Sequence, residues 1–370
     1  MNFDFSDDQE QLRDAVRKWV DRSYGFERRR AAVKAGGLDR AAYEELAGLG
    51  LAGLYIAEDH GGMGMGPVEA MVVMEELGRG IVLEPVAQSL VAGGVIQGYA
   101  PEAVKSQWLP RIASGEALVS LAHQERGARW HLDRCATQAK DSGGWKLTGT
   151  KSVVPGGDRA DAFLVPAMAG GSMALFLVER GAAGVTATGY VTQDGSRAGE
   201  LKLADAPATL VTTEGLVALE HAVDIGIAAL CAEAVGVIDA TMKLTADYMN
   251  TRKQFGVTIA SFQALRHRMA DMKMQQELAR SMSYYASLKL NAPPAERRMA
   301  MARAKYQLGV SMRFVGQNSV QLHGGIGVTD EYIGSHYFKK LTQMEMQFGD
   351  TLHHLGEVSA RMQETAGVFA

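Results

Sequence analysis

The sequence predicts a mainly α protein with a β insert, class α+β. A helical domain is expected over residues 1–115, a small antiparallel β domain over 116–212 and a second helical domain over 213–370. Three observations predict this. Apolar residues recur at helical spacing through the first and last parts of the chain, whereas the middle shifts to short β-type runs cut by Gly, Asp and Ser turns. The length of 370 residues, 47% of them hydrophobic and 22% charged, is enough to bury cores in two or three domains.

The elements follow in order. Ser6-Asp-Asp-Gln9 reads as a capping box, with Leu12, Ala15, Val16, Trp19 and Val20 behind it at helical spacing. Tyr43 to Leu49 starts another helix that stops at Gly50, and the Gly cluster in Leu51 to Met65 calls for a loop with positive φ. Helical patterns resume over Val68–Gly78, Val86–Gly98 and Ala103–Ile112, the last closed by Gly115. The β-type runs are Ala117–Ala122, Cys135–Ala139, Trp145–Gly149, Ala162–Pro166 and Met173–Val178. From Glu214 onward long helices return, with apolar faces at Ile225, Ala228, Ala229, Ala232 and Val235, then Phe262, Leu265, Met269 and Met272, then Leu308, Met312, Val315 and Leu322. Asn291-Ala-Pro-Pro-Ala is the clearest break between them.

Composition excludes several classes. A formal net charge of −4 leaves no basic surplus for nucleic acid, and Arg28-Arg29-Arg30 and Arg297-Arg298 read as solvated helix faces. The two cysteines, Cys135 and Cys231, have neither zinc spacing nor the density of a disulfide scaffold. His353-His354 point different ways on a helix and cannot share a metal, and His323 is expected to be packed and hydrogen-bonded. No targeting leader is read in the acidic N-terminus, and no apolar run approaches the roughly 20 residues of a membrane span, so no membrane segment and a cytoplasmic location are expected.

Two stretches carry chemistry. In Tyr248–Met274 a helix ends at Arg252-Lys253, turns tightly at Phe255-Gly256 and restarts behind Ser261-Phe-Gln. This is a corner suited to phosphate, because a guanidinium grips phosphate oxygens bidentately and a helix N-terminus offers free N–H groups. Gln321-Leu-His-Gly-Gly-Ile-Gly327 supplies an amide and three glycines where backbone must approach something closely. Together with Glu58-x-x-Gly-Gly-x-Gly64 and Phe262-Gln263 followed by Ala270-Asp-Met272, these motifs resemble those of the acyl-CoA dehydrogenase family of flavoenzymes. The resemblance covers essentially the full length and implies a C-terminal four-helix bundle that forms a dimer or tetramer with itself or a homologous subunit. It implies FAD as cofactor, with Arg252, Gln254 and Phe255 on the dinucleotide of one site and Gln321, Gly324 and Gly325 on its other flank, R-x-x-F-G reaching in from a neighbouring subunit. It implies α,β-dehydrogenation of an acyl-CoA thioester, in which a carboxylate removes the α-proton and the electrons pass on to an external acceptor of the electron-transfer-flavoprotein type.

The sequence departs from that family in three places. The T-E-x-x-x-G-S segment reads His123-Gln-Glu-Arg-Gly-Ala-Arg-Trp, and K-x-W-I-T-N reads Lys151-Ser-Val-Val-Pro-Gly, placing Val153 and Pro155 where the family has Trp and Thr. The Y-E-G-T loop that carries the catalytic Glu reads Met346-Gln-Phe-Gly-Asp-Thr, with Phe348 at the Glu position; the alternative base position aligns with Gly226. Asp350 is the candidate base, two residues or roughly 6–7 Å along the chain from that position. Asp224, Glu233 and Glu345 are lesser candidates, and an ordinary helix N-cap is the competing role for Asp350. Two functions stay open: an active dehydrogenase with a relocated base for a bulky or unusual acyl group, and a catalytically silent subunit that completes the flavin site of a related chain.

Overall fold

The structure, a computed structural model, describes residues 4–366. Its helices are α1 (Asp7–Ser23), α2 (Phe26–Lys34), α3 (Arg40–Gly48), α4 (Pro67–Arg79), α5 (Val86–Tyr99), α6 (Glu102–Ala113), α7 (Gly215–Thr251), α8 (Gln263–Lys289), α9 (Pro294–His323), α10 (Ile333–Met346) and α11 (Thr351–Ala366). The strands are β1 (Val119–Leu121), β2 (Gln138–Asp141), β3 (Trp145–Pro155), β4 (Ala162–Ala169), β5 (Ser172–Glu179), β6 (Val185–Val191), β7 (Arg197–Thr212), and the short β8 (Lys253–Gln254) and β9 (Val257–Thr258). Helices, then a β domain, then helices is the expected class and order. The capping box is present in full: Ser6 Oγ accepts from the Gln9 amide at 3.2 Å, and Gln9 Oε1 accepts from the Ser6 amide at 3.0 Å.

The chain divides into two compact units. One comprises Glu27–Ala70 and Leu83–Gly226; the other comprises the described residues of Met1–Phe26, Met71–Val82 and Ile227–Ala370.

In the first unit the strands pair in the order β1-β4-β2-β3-β7-β5, and β5 pairs again with β4, so the sheet closes on itself. Closure shelters most edges, leaving β6, paired with β7, at one side. Most pairings are antiparallel; the short β1 and β2 each run parallel to β4. Leu147, Phe163, Val165, Phe176, Val178 and Leu201 fill the interior. β6 and β7 lie beyond the runs that the sequence pattern picks out. β6 pairs only with β7 among the described strands, and its residues alternate merely between half-buried and exposed with none fully buried, so its apolar signal is weak.

In the second unit α9 packs against α8, α10 and α11. Glycines let backbones approach here: a Cβ on Gly236 of α7 would sit 1.8 Å from the Glu75 carbonyl of α4, and one on Gly78 would sit 2.0 Å from the Glu233 carbonyl. One expectation is corrected. The 37-residue α7 is long and apolar enough, by length and composition, to cross a membrane. It carries an all-round apolar surface because 83% of its most apolar window is buried inside the protein, which is the composition of a central core helix.

Candidate functional site

In the helical unit, α7 ends at Thr251, and the Arg252 amide still donates to the Tyr248 carbonyl at 2.8 Å. The chain then makes a two-residue hairpin, β8 to β9, with Lys253 opposite Thr258 and Gln254 opposite Val257. Its tip residues Phe255 (φ 54°) and Gly256 (φ 82°) both have positive φ, the geometry of a type I′ turn. Glycine adopts it without cost, but phenylalanine does not. Phe255 is 91% exposed and meets Phe262 edge-to-face, at 6.1 Å between ring centroids. A strained, solvent-facing aromatic contributes little to the fold of its own chain. Arg252 and Gln254 are exposed beside it.

The second motif ends α9. Gly324 takes φ 62° and ψ −140°, a conformation open to glycine almost alone, and the chain continues as a 3₁₀ turn over Gly324–Val328. Gln321, Gly324 and Gly325 are all exposed, and a Cβ on either glycine would meet no atom within 4 Å. Thr245 Oγ1 lies 3.0 Å from Ser319 Oγ, and the Tyr248 and His323 rings meet tilted by 35° with centroids 4.6 Å apart. Since Tyr248 is one turn before Arg252 and His323 directly precedes Gly324, these contacts bring the two motifs to the same end of the unit. His323 is packed, as expected, with Nδ1 2.8 Å from the Ser319 carbonyl.

The loop between α10 and α11 lies elsewhere along α9. Lys305, fully buried, donates from Nζ to the carbonyls of Glu345 (2.8 Å) and Gly349 (2.9 Å). It precedes His323 by eighteen residues, roughly 27 Å along the helix. Burial holds the Lys305 ammonium down at about 8. Phe348, which the Y-E-G-T resemblance sets opposite the family's Glu, has φ 55°, and its carbonyl accepts from Nε2 of His354 at 2.9 Å. Burial first, then the Lys305 charge, push His354 down to about 2, so it is neutral.

The carboxylates near Phe348 are engaged. Glu345 Oε1 accepts from the Thr351 amide (3.0 Å), the Thr351 hydroxyl and Arg313 (3.3 Å). Asp350 Oδ1 accepts from the His353 amide at 2.8 Å, the bond of an N-cap on α11. Of the other candidates, Glu233 pairs with Lys340 at 2.6 Å and Asp224 is fully buried on α7. The sequence pattern gave no sign of Lys305, because a lysine on an otherwise apolar helix face reads as solvated.

In the β unit the two departing segments are joined by a buried ion pair. Lys151 Nζ lies 2.6 Å from Glu125 Oε1, and Lys151 is 0% exposed. Glu125 also accepts from the amides of Ala136 (2.7 Å) and Thr137 (3.1 Å) and from the Thr137 hydroxyl (2.7 Å). Burial works against this carboxylate, but the Lys151 and Thr137 hydrogen bonds outweigh it and bring it down to about 2. Two residues on, the register with β7 slips between Lys151 and Val154, and Val153 sits in the bulge with φ 52°, 46% exposed. The cavity bounded by His123, Ala128, His131 and Cys135 measures only about 10 Å³, room for at most one water.

These residues match a dinucleotide in part. The exposed Arg252, Gln254 and Gln321 are donors suited to phosphate and ribose, and the open space over Gly324 and Gly325 admits a ligand against the backbone. Val153 and Pro155 themselves offer neither an aromatic face nor a hydroxyl to a flavin ring.

Comparison with known proteins shows the family of the chain. The N-terminal domain of acyl-CoA dehydrogenase matches residues 6–116 and its C-terminal domain residues 213–363. The chain is 28% identical to acyl-CoA dehydrogenase FadE27 of Mycobacterium tuberculosis, over 88% of this chain and 89% of that one. It is 29% identical to a short-chain specific acyl-CoA dehydrogenase of Megasphaera elsdenii, over 83% and 86%. Among solved structures it superposes on the ChsE4-ChsE5 complex of Mycobacterium tuberculosis with TM-score 0.90 at 28% identity, covering 98% of this chain and 99% of that one. It superposes equally well, with TM-score 0.90 at 29% identity and 97% and 99% coverage, on a variant of the Tcur3481-Tcur3483 steroid ACAD. The chain belongs to the acyl-CoA dehydrogenase family, FAD-dependent oxidoreductases that act on the CH–CH bonds of acyl-CoA thioesters.

Proposed function

We propose that this chain is the flavin-site-completing subunit of a heteromeric acyl-CoA dehydrogenase, working with a homologous subunit that carries the catalytic carboxylate. The loop around Phe348 carries this reading. A general base must come within about 3 Å of the proton it removes, and here an apolar ring stands at that position while Glu345 and Asp350 are engaged by Thr351 and by the α11 cap.

Arg252 and Gln254 would hold the dinucleotide of a site shared with the partner, Phe255 would cover it, and Gln321, Gly324 and Gly325 would line its other flank. FAD supplies the hydride acceptor. The exposure of all six residues and the strain at Phe255 support an external contact. So do two structural relatives whose names each join two different chains, ChsE4-ChsE5 and Tcur3481-Tcur3483. The substrate class that fits is a bulky acyl-CoA such as a steroid side-chain thioester, since Val153 and Pro155 are smaller than the residues they replace, and electrons would leave to an electron-transfer-flavoprotein-type acceptor.

A second reading, a homo-oligomer that uses Asp350 as base, is favoured by one observation: among the described residues the second oxygen of Asp350 makes no hydrogen bond. Co-expression with a Glu-bearing homologue separates the two. A co-purifying complex whose dehydrogenase activity on acyl-CoA survives Asp350→Asn, and is lost when the partner's Glu becomes Gln, supports the heteromer. Activity of this chain alone that disappears in Asp350→Asn overturns it.

A further inference from the structure

A second polar cavity lies in the helical unit, away from both motifs and from the Phe348 loop. It has a volume of about 220 Å³ and is bounded by α1, α4, α7 and α8, several times the ~30 Å³ share of a water molecule. Four guanidiniums line it, from Arg13, Arg17, Arg79 and Arg280, against the carboxyls of Glu75, Glu76 and Asp239; Tyr284 also faces it. Glu76 is shared by Arg17 (2.6 Å) and Arg79 (2.8 Å), and Asp239 takes Arg280 Nη2 on both oxygens (2.8 and 2.6 Å). At the rim, Glu10 pairs with Arg13 and Asp21 with Arg79, each at 2.8 Å.

Glu75 has no such partner. It is 9% exposed, its Oε1 is buried without a hydrogen-bond partner, and its other oxygen is 3.8 Å from Arg280 Nη1, too far for a hydrogen bond. Each guanidinium has five N–H donors, and Arg13 and Arg280 leave several unspent. The site therefore holds surplus donors and, among the described residues, one buried carboxyl oxygen without a hydrogen bond.

We infer that this cavity binds a small oxyanion of phosphate or carboxylate chemistry, gripped by Arg13 and Arg280 and accepting a hydrogen bond from protonated Glu75. Burial holds Glu75 up at about 7, against the Arg280 and Arg13 charges and with smaller help from Asp239 and Glu76. An anion beside it raises it further. Binding thus draws in a proton when the pH is above neutral.

The test is calorimetric titration of the full-length protein with sodium phosphate at pH 8, and separately with sodium acetate. Ionic strength is matched with chloride, and each titration is run in two buffers of different ionisation enthalpy. Saturable binding of either anion with proton uptake is expected. It should weaken at least tenfold in Arg13→Gln, whose side chain pairs with Glu10 at the rim and lies over the Phe5 ring, and keep its affinity but lose its proton uptake in Glu75→Gln. A response to phosphate alone or to acetate alone assigns the anion class. No heat beyond the chloride control, or equal binding by wild type and Arg13→Gln, overturns the inference.

Discussion

The Lys305 ammonium donates to the Gly349 carbonyl across 2.9 Å and, at the same time, to that of Glu345 across 2.8 Å. One buried charge from the middle of α9 thus ties together both ends of the loop that carries Phe348. With Thr351 on the Glu345 carboxylate and His354 on the Phe348 carbonyl, the loop has a single path, and that path presents a phenyl ring where the family presents a carboxylate.

Lys305→Met should therefore destabilise the chain by about 2–4 kcal/mol, since two buried carbonyls lose their donor. The deficit should also grow with pH. The native lysine releases its proton near pH 8 and an unfolded one near 10.5. Between those values the unfolded state binds more protons, so wild-type stability gains on the order of 3 kcal/mol as pH rises through the window, and the variant lacks the gain. Urea denaturation at pH 7 and pH 10 measures both terms; a deficit that shrinks with pH contradicts the assignment.

Lys151→Met should cost about 3–5 kcal/mol, because it leaves Glu125 buried and charged without its partner. Lys151→Met with Glu125→Gln should recover part of that loss. Equal midpoints for the single variant and wild type would mean that the pair is not buried as described.

Val153→Gly should stabilise by about 0.5–1 kcal/mol. A β-branched residue at φ 52° pays about 1–2 kcal/mol for the left-handed conformation, and glycine returns part of that as chain entropy. With 46% of Val153 exposed, little apolar burial is lost. Thermal unfolding reads the difference, and a drop in Tm would show that the Val153 side chain is held by contacts of its own.

Arg252→Gln and Phe255→Ala should each leave the stability of the isolated chain within about 0.5 kcal/mol, as exposed substitutions do. The same variants should lower the FAD content of the complex with a Glu-bearing homologue. A large loss of stability in the isolated chain would instead give the hairpin a structural role.

The helices and most strands were legible because their signals are local: the Ser6 capping box, Gly50 and Gly115 at helix ends, and β-type runs between turn residues. The two motifs were legible as short runs with fixed spacing. What was not legible is tertiary. Nothing near Lys305 in sequence announces that its amine will meet carbonyls forty residues on, and Glu125 and Lys151 become partners only when β3 closes the barrel. β6 escaped because an edge strand with no fully buried residue gives only a weak alternation. The apolar stretch of α7 resembles a membrane span by composition, and only its burial shows it to be core.

The most direct measurement is the visible spectrum and FAD stoichiometry of the chain purified alone, and then of the same chain co-purified with a Glu-bearing homologue. The account predicts little or no FAD on the isolated chain even after added cofactor, and bound FAD that is bleached by acyl-CoA once the partner is present. Near one FAD per chain in the isolated protein, bleached by acyl-CoA without any partner, would contradict it.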